Sequence, residues 1–150
     1  MTARLLLLSA LALSTCGDGM HPVAIGATNA TSSMLLSVTY SLDGEPFGAL
    51  EAVYPGSETQ WAEARAPAPA AGSRYEVSLE YASGLVETIA LDAAAAPAEW
   101  IHVRPEVASM TAEVSPGREV TEARAPRGDL APSGAAPPPP RLATTADSTD

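Results

Sequence analysis

The sequence predicts an all-β protein built as an antiparallel sandwich, and three observations carry that prediction. Apolar and polar residues alternate strictly along the middle of the chain, the period of half-buried strands. Turn signals containing Gly or Pro recur about every ten residues, the spacing of a sandwich of short strands. All seven aromatic residues (Tyr40, Phe47, Tyr54, Trp61, Tyr75, Tyr81 and Trp100) lie between positions 40 and 100 of the 150. The side chains best able to fill a core are therefore concentrated in one stretch.

The elements follow in order. A first strand precedes Asn29, and a second covers residues 34–42, with Met34, Leu36, Val38, Tyr40 and Leu42 on one face and Leu35, Ser37, Thr39 and Ser41 on the other. Asp43-Gly44 ends that strand, and Pro55-Gly56 separates residues 47–54 from residues 59–65. Residues 74–81 alternate without error: Tyr75, Val77, Leu79 and Tyr81 oppose Arg74, Glu76, Ser78 and Glu80. Ser83-Gly84 then turns the chain into the apolar run 85–91, with Gly supplying the positive φ of a hairpin. Residues 99–104 put Trp100, His102 and Arg104 on one face, and Ala108, Met110, Ala112 and Val114 mark a last strand. The alanine clusters 66–71 and 93–96 read as loops, because Pro67, Pro69 and Pro97 interrupt any helix. Half-polar alternation argues against a parallel sheet, whose strands are apolar on both faces, and for an immunoglobulin-like antiparallel sandwich of about seven or eight strands.

This sandwich is expected over residues 23–115. Residues 116–150 contain no aromatic residue and hold 7 of the 14 prolines, including Pro137 to Pro140. So little apolar surface cannot offset an ordering cost of ~1–2 kcal/mol per residue, and a disordered Pro/Ala-rich tail is expected.

At the other end, Arg4 precedes residues 5–13, LLLLSALAL. Nine residues rise only ~14 Å as a helix, about half the hydrocarbon thickness of a bilayer, which fits a secretory signal core and not a membrane span. Leu13-Ser14-Thr15-Cys16-Gly17 follows at once. This resembles the lipobox of bacterial lipoprotein precursors, with Thr15 in the place where Gly, Ala or Ser is usual. The resemblance implies a signal peptide over residues 1–15, cleavage before Cys16, and acylation of its sulfur and its new amino group. A lipidated tether over residues 16–22 would then join the bilayer to the sandwich. Thiolate nucleophilicity is what the thioether chemistry requires, and two or more acyl chains anchor stably where one does not. Gly17, where Asp would signal inner-membrane retention, implies the outer membrane, facing the periplasm. Cleavage near Ala10-Leu11-Ala12 would instead release a soluble secreted or periplasmic protein. Asn29-Ala30-Thr31, Pro55-Gly56 and Arg74-Tyr75-Glu76-Val77 are similar to turn and strand motifs of small secreted bacterial β-sandwich domains of unassigned role. That likeness carries no functional residue.

Composition excludes several functions. Eight cations, all Arg, against 18 acids give a net charge of -10, with no basic cluster to hold nucleic acid. One Cys excludes an internal disulfide and a Cys-based zinc site. Residues 22–115 carry 12 acids and three Arg, dispersed along strands, with no Ca²⁺ loop, and Gly17-Asp18-Gly19 lacks the context of a phosphate loop. Of the two histidines, His21 falls in the tether, so His102 alone could serve as a base in the domain. Met20, His21, Met34, His102 and Met110 form the one candidate soft-metal set, with ligands suited to Cu(I). Arg127-Gly128-Asp129 is an integrin-type tripeptide in the expected tail, and Asn29-Ala30-Thr31 is a sequon that matters only in a eukaryotic secretory route. The sequence therefore points to a non-enzymatic envelope lipoprotein without cofactor, a binding or structural module. Its partners are the membrane, through acylated Cys16, and an envelope protein met at an acidic face or exposed strand edge. A periplasmic copper shuttle is the alternative.

Overall fold

The computed structural model describes residues 19–94 and 96–133. The expected signal peptide, Cys16 and the Pro137–140 run lie outside the described residues. Nine strands are present: β1 (Met20–Ala27), β2 (Leu35–Leu42), β3 (Glu45–Val53), β4 (Gln60–Pro67), β5 (Arg74–Tyr81), β6 (Val86–Asp92), β7 (Trp100–Pro105), β8 (Ser109–Val114) and β9 (Arg118–Ala123). They form two packed sheets, ordered β4-β1-β7-β8-β9 and β3-β2-β5-β6, so the expected β-sandwich is what the chain builds. All neighbours are antiparallel except β1 and β7, which pair in parallel from Ala24↔Trp100 to Ala27↔Val103.

The core lies between the inner faces. Val23, Ile25 and Ala27 of β1, Ile101 and Val103 of β7, and Met110, Ala112 and Val114 of β8 supply one side, all buried. Val38, Tyr40 and Leu42 meet them from β2, Tyr75, Val77, Leu79 and Tyr81 from β5, and Ile89 and Leu91 from β6. Tyr40 is fully buried, and its hydroxyl donates to the Gly26 carbonyl at 2.6 Å, so the deepest phenol is satisfied across the two sheets.

Three expectations are corrected. The second strand does not keep a single face. Leu35 is buried and Leu36 is 42% exposed, because the β2/β5 register shifts between Leu35 and Ser37. Ala52, in the partner strand β3, has φ +54°, and the buried positions there also change parity, from Leu50 to Val53. The bulge returns Leu35 to the core, which the uninterrupted alternation in sequence had assigned outward.

The domain also begins earlier than residue 23 and ends later than residue 115. Met20, His21 and Pro22 are already paired with Pro67, Ala66 and Arg65 of β4. Past Ser115, β9 pairs along β8, a 3-10 turn covers Gly128–Leu130, and Pro132 bridges Thr31. Leu130 is fully buried. The Arg124 guanidinium bonds the Glu87 carboxylate and the Glu106 carbonyl, with side-chain exposures of 11% for Arg124 and 10% for Glu87. One buried leucine and one shielded ion pair therefore fasten residues 116–133, which composition had consigned to the tail.

Lastly, the sequon and the tripeptide are structural. Asn29 and Thr31 are buried; Asn29 Nδ2 donates to the Ser33 and Val53 carbonyls at 2.8 and 3.0 Å, and its Oδ1 accepts from Thr31 N and Oγ1. Arg127 reaches Glu87 at 3.7 Å at the start of the 3-10 turn.

Candidate functional site

The outward face of the five-stranded sheet carries the chemistry. Its register sets Trp61 of β4, Gly26 of β1, His102 of β7, Glu113 of β8 and Glu119 of β9 in one row across the sheet. The row beside it runs Glu63, Ala24, Trp100. Strand alternation fixes these orientations: the core residues Ile25, Ile101 and Ala112 point inward, so their sequence neighbours point out.

Gly26 decides what Trp61 does. A Cβ at Gly26 would lie 2.5 Å from Trp61 Cε3 and Cζ3 and 2.8 Å from Cδ2. The indole therefore lies over the glycine backbone, in space any side chain would fill, while 53% of the residue remains exposed. From there it meets Trp100 edge-to-face, with centroids 6.5 Å apart and planes at 86°, and His102 at 5.6 Å with planes tilted by 31°. These are the only two Trp of the chain, and they face solvent instead of the core.

Polar groups border this notch. Thr28 Oγ1 is 2.8 Å from His102 Nε2 and 2.6 Å from Thr59 Oγ1, a hydrogen-bonded line along one side. Burial holds the His102 imidazole below its ordinary pKa; the Glu113 carboxylate acts upward and the Arg104 guanidinium downward. The ring is thus neutral at pH 7 and shares one hydrogen with Thr28. Ala24, Thr59, Trp61, Trp100, His102 and Glu113 line an open cleft of about 450 Å³, apolar over most of its wall.

Chemically, this is a stacking and hydrogen-bonding surface. His102 beside a threonine hydroxyl in a cleft is the minimum that nucleophilic catalysis asks for. Among the described residues, however, no carboxylate hydrogen-bonds the other ring nitrogen, and Thr59 shares the Thr28 hydroxyl.

The soft-metal set is not assembled. His102 faces outward, whereas Met110, on β8, is buried in the core on the opposite face of that sheet. Met34 precedes β2 in the other sheet. Met20 and His21 begin β1, five to six residues from Gly26 and hence roughly 16–20 Å along the strand from the His102 row. Neither ring nitrogen of His21 has a hydrogen-bond partner among the described residues. No cluster of three or more His, Cys, Asp or Glu able to hold a metal occurs among them. The copper-shuttle alternative required His102 and Met110 to converge, and the sheet separates them. No described helix is long and apolar enough to cross a membrane.

As for the contact surfaces expected from sequence, acidic residues occupy both outward faces, Glu63, Glu113 and Glu119 on the five-stranded sheet and Glu51, Glu76 and Glu80 on the four-stranded one. The aromatic cleft was not foreseen, although Trp100 and His102 were placed on one face. Gly26, a glycine inside the apolar strand MHPVAIGA, was the available signal that another group approaches the backbone there. No protein-family model matches the chain, nor does any curated protein or solved structure.

Proposed function

We propose that the protein is a lipid-anchored module of the bacterial cell envelope that acts by binding, not by catalysis, and that its contact surface is the Trp61/Trp100/His102 face. One observation carries the choice of surface: the two tryptophans of the chain come from separate strands, Trp61 over a glycine that makes room for it, to form an open apolar cleft on the solvent side of a sheet. Exposed Trp pairs with nearby hydrogen-bonding groups are characteristic of binding hot spots, because they combine large apolar area with little loss of conformational freedom.

The lipobox-like Leu13-Ser14-Thr15-Cys16 supports the anchoring half of the reading. Acyl chains on Cys16 would hold the cleft near the outer membrane, on its periplasmic side, and tethering would raise its effective concentration toward an envelope protein partner.

The test uses a photo-crosslinking side chain at Glu63, beside the Trp61 row, and for comparison at Glu80, on the outward side of the other sheet, in cells. The proposal expects an envelope crosslink from position 63 and none from position 80, and loss of the first in a Cys16→Ser chain. Equal crosslinking from both positions, or none from position 63, contradicts it.

A further inference from the structure

We propose that the Trp61/Trp100 cleft is a binding site for a small quaternary ammonium compound, a choline-type cation held by two indole faces and the Glu113 carboxylate. The inference rests on the reading of that face as the binding surface, and it names the chemistry that the cleft accepts.

Geometry argues first. Trp61 lies over Gly26 with 53% of the residue exposed, and Trp100 meets it at 86° with centroids 6.5 Å apart. Two π faces at a right angle make a corner. A tetraalkylammonium seated there lies within ~6 Å of both rings, the range of the cation–π attraction, and indole is the strongest of the aromatic partners. The cleft, about 450 Å³, has the volume of a small-ligand site.

Charge selects a cation. Among the described residues, Glu113 is the only charged group lining the cleft. Glu63 stands in the neighbouring row, Glu119 follows Glu113 across the sheet, and Glu99 shares the next cleft with Glu63 and Ala24. The flanking arginines are tied elsewhere: Arg104 to Glu106 at 3.0 Å, Arg118 to Asp92 at 3.4 Å, and Arg65 to the Met20 carbonyl at 3.4 Å. His102 is kept neutral at pH 7 by burial, so it adds no positive charge to the wall.

Hydrogen-bonding capacity then selects the kind of cation. Thr59 Oγ1 and His102 Nε2 are both already bonded to Thr28 Oγ1. A primary ammonium or a guanidinium would bring three to five N–H donors to these walls and leave most of them unpaired. A quaternary ammonium has no N–H and needs only apolar contact and a nearby negative charge. The same walls exclude a phosphocholine headgroup. Among the described residues no cation lines the cleft to receive its phosphate, which would face Glu113 instead.

The two tryptophans are the entire indole signal of the protein, so their fluorescence reports this site. The experiment titrates the full chain, in nanodiscs of phosphatidylethanolamine and phosphatidylglycerol, with three probes: choline, phosphocholine and neohexyl alcohol, the uncharged isostere of choline in which carbon replaces nitrogen. Choline is expected to saturate the fluorescence change with a midpoint on the order of 1 mM, and the other two probes to bind about tenfold more weakly. Glu113→Gln keeps the side chain's shape and removes its charge. It is expected to weaken choline about three- to fivefold and to leave the neohexyl alcohol midpoint unchanged. The comparison of probes needs only the native chain, so it decides the matter whether or not the variant folds. Equal binding of choline and neohexyl alcohol overturns the proposal, because the cleft would then be merely apolar. So does equal binding of phosphocholine, which would make a lipid headgroup the occupant, or a change with choline that does not saturate. An unchanged choline midpoint in a folded Glu113→Gln chain overturns it as well. A crosslink from position 63 without choline selectivity leaves the contact face standing and removes only the ligand. Choline selectivity without the crosslink does the reverse.

Discussion

Replacing Gly26 with Ala tests the architecture of the cleft through one methyl group. The new Cβ would meet Trp61 Cε3 and Cζ3 at 2.5 Å, far inside contact distance, so the indole must lift off the sheet. Trp61 is 53% exposed, so about half of its surface is at stake. For an aromatic that hides ~150–250 Å² when fully buried, half is ~100 Å², or ~2.5 kcal/mol at ~25 cal/mol per Å². Lifting the ring also forfeits the edge-to-face contact with Trp100, about 1 kcal/mol, while Ala in place of Gly in a strand returns ~0.5–1 kcal/mol. The net expectation is a loss of about 2–3 kcal/mol, roughly 10 °C in Tm for a domain of this size. The assay is a double-mutant cycle with Trp61→Ala, followed by thermal and urea unfolding. Once the indole is gone the Ala has nothing to strike, so Gly26→Ala should be neutral or slightly stabilising in that background. An equal cost with and without Trp61 would refute the claim that this glycine exists to seat the tryptophan.

Other predictions follow from the same contacts. Asn29→Ala removes four hydrogen bonds at a buried site and strands the Val53 carbonyl, so a loss of about 3 kcal/mol in urea unfolding is expected. Arg124→Ala leaves the shielded Glu87 carboxylate with only Arg127 at 3.7 Å and the Tyr81 hydroxyl at 3.1 Å, which should cost about 3 kcal/mol; Arg124→Ala with Glu87→Leu should recover much of it. The same single change should raise amide exchange in β9 above that of β8, since β9 is an edge strand with little burial of its own. His102, depressed chiefly by burial, binds a proton less readily folded than unfolded. Its contribution to stability is therefore complete above the unfolded value of ~6.5, falls as pH drops from there toward the lower folded value, and then levels off. Melting curves across that window should show the slope in the native chain and lose it in His102→Gln.

Much of the sandwich was legible because its strands bury one face. Residues 74–81 read as a strand and are β5, and the Ser83-Gly84 turn leads into β6 as expected. The failures have physical causes. The run containing Met34 to Leu42 alternates cleanly in sequence, but a bulge makes two residues of β2 share one partner, which no periodicity can show. Strand β9, REVTEA, is exposed at nearly every position; an edge strand held by backbone bonds and by the ion pairs of Arg118 with Asp92 and of Arg124 with Glu87 leaves no hydrophobic alternation to find. Leu130 is a single apolar residue among prolines and glycines, so its burial depends on a pocket made by distant strands.

The candidate site was legible only in part. Trp100 and His102 were placed side by side by alternation, but bringing Trp61 to them required knowing that β1 separates β4 from β7. That order joins residues 39 positions apart in sequence through a strand that pairs antiparallel on one side and parallel on the other.

The intact mass of the protein recovered from the membrane fraction bears most directly on the account, because the proposed attachment to lipid would fix where the aromatic face can act. The account predicts a chain beginning at Cys16, with a diacylglyceryl thioether on its sulfur and a further acyl group on its amino terminus. A chain that still carries residues 5–13, or one whose Cys16 sulfur is unmodified, would contradict it.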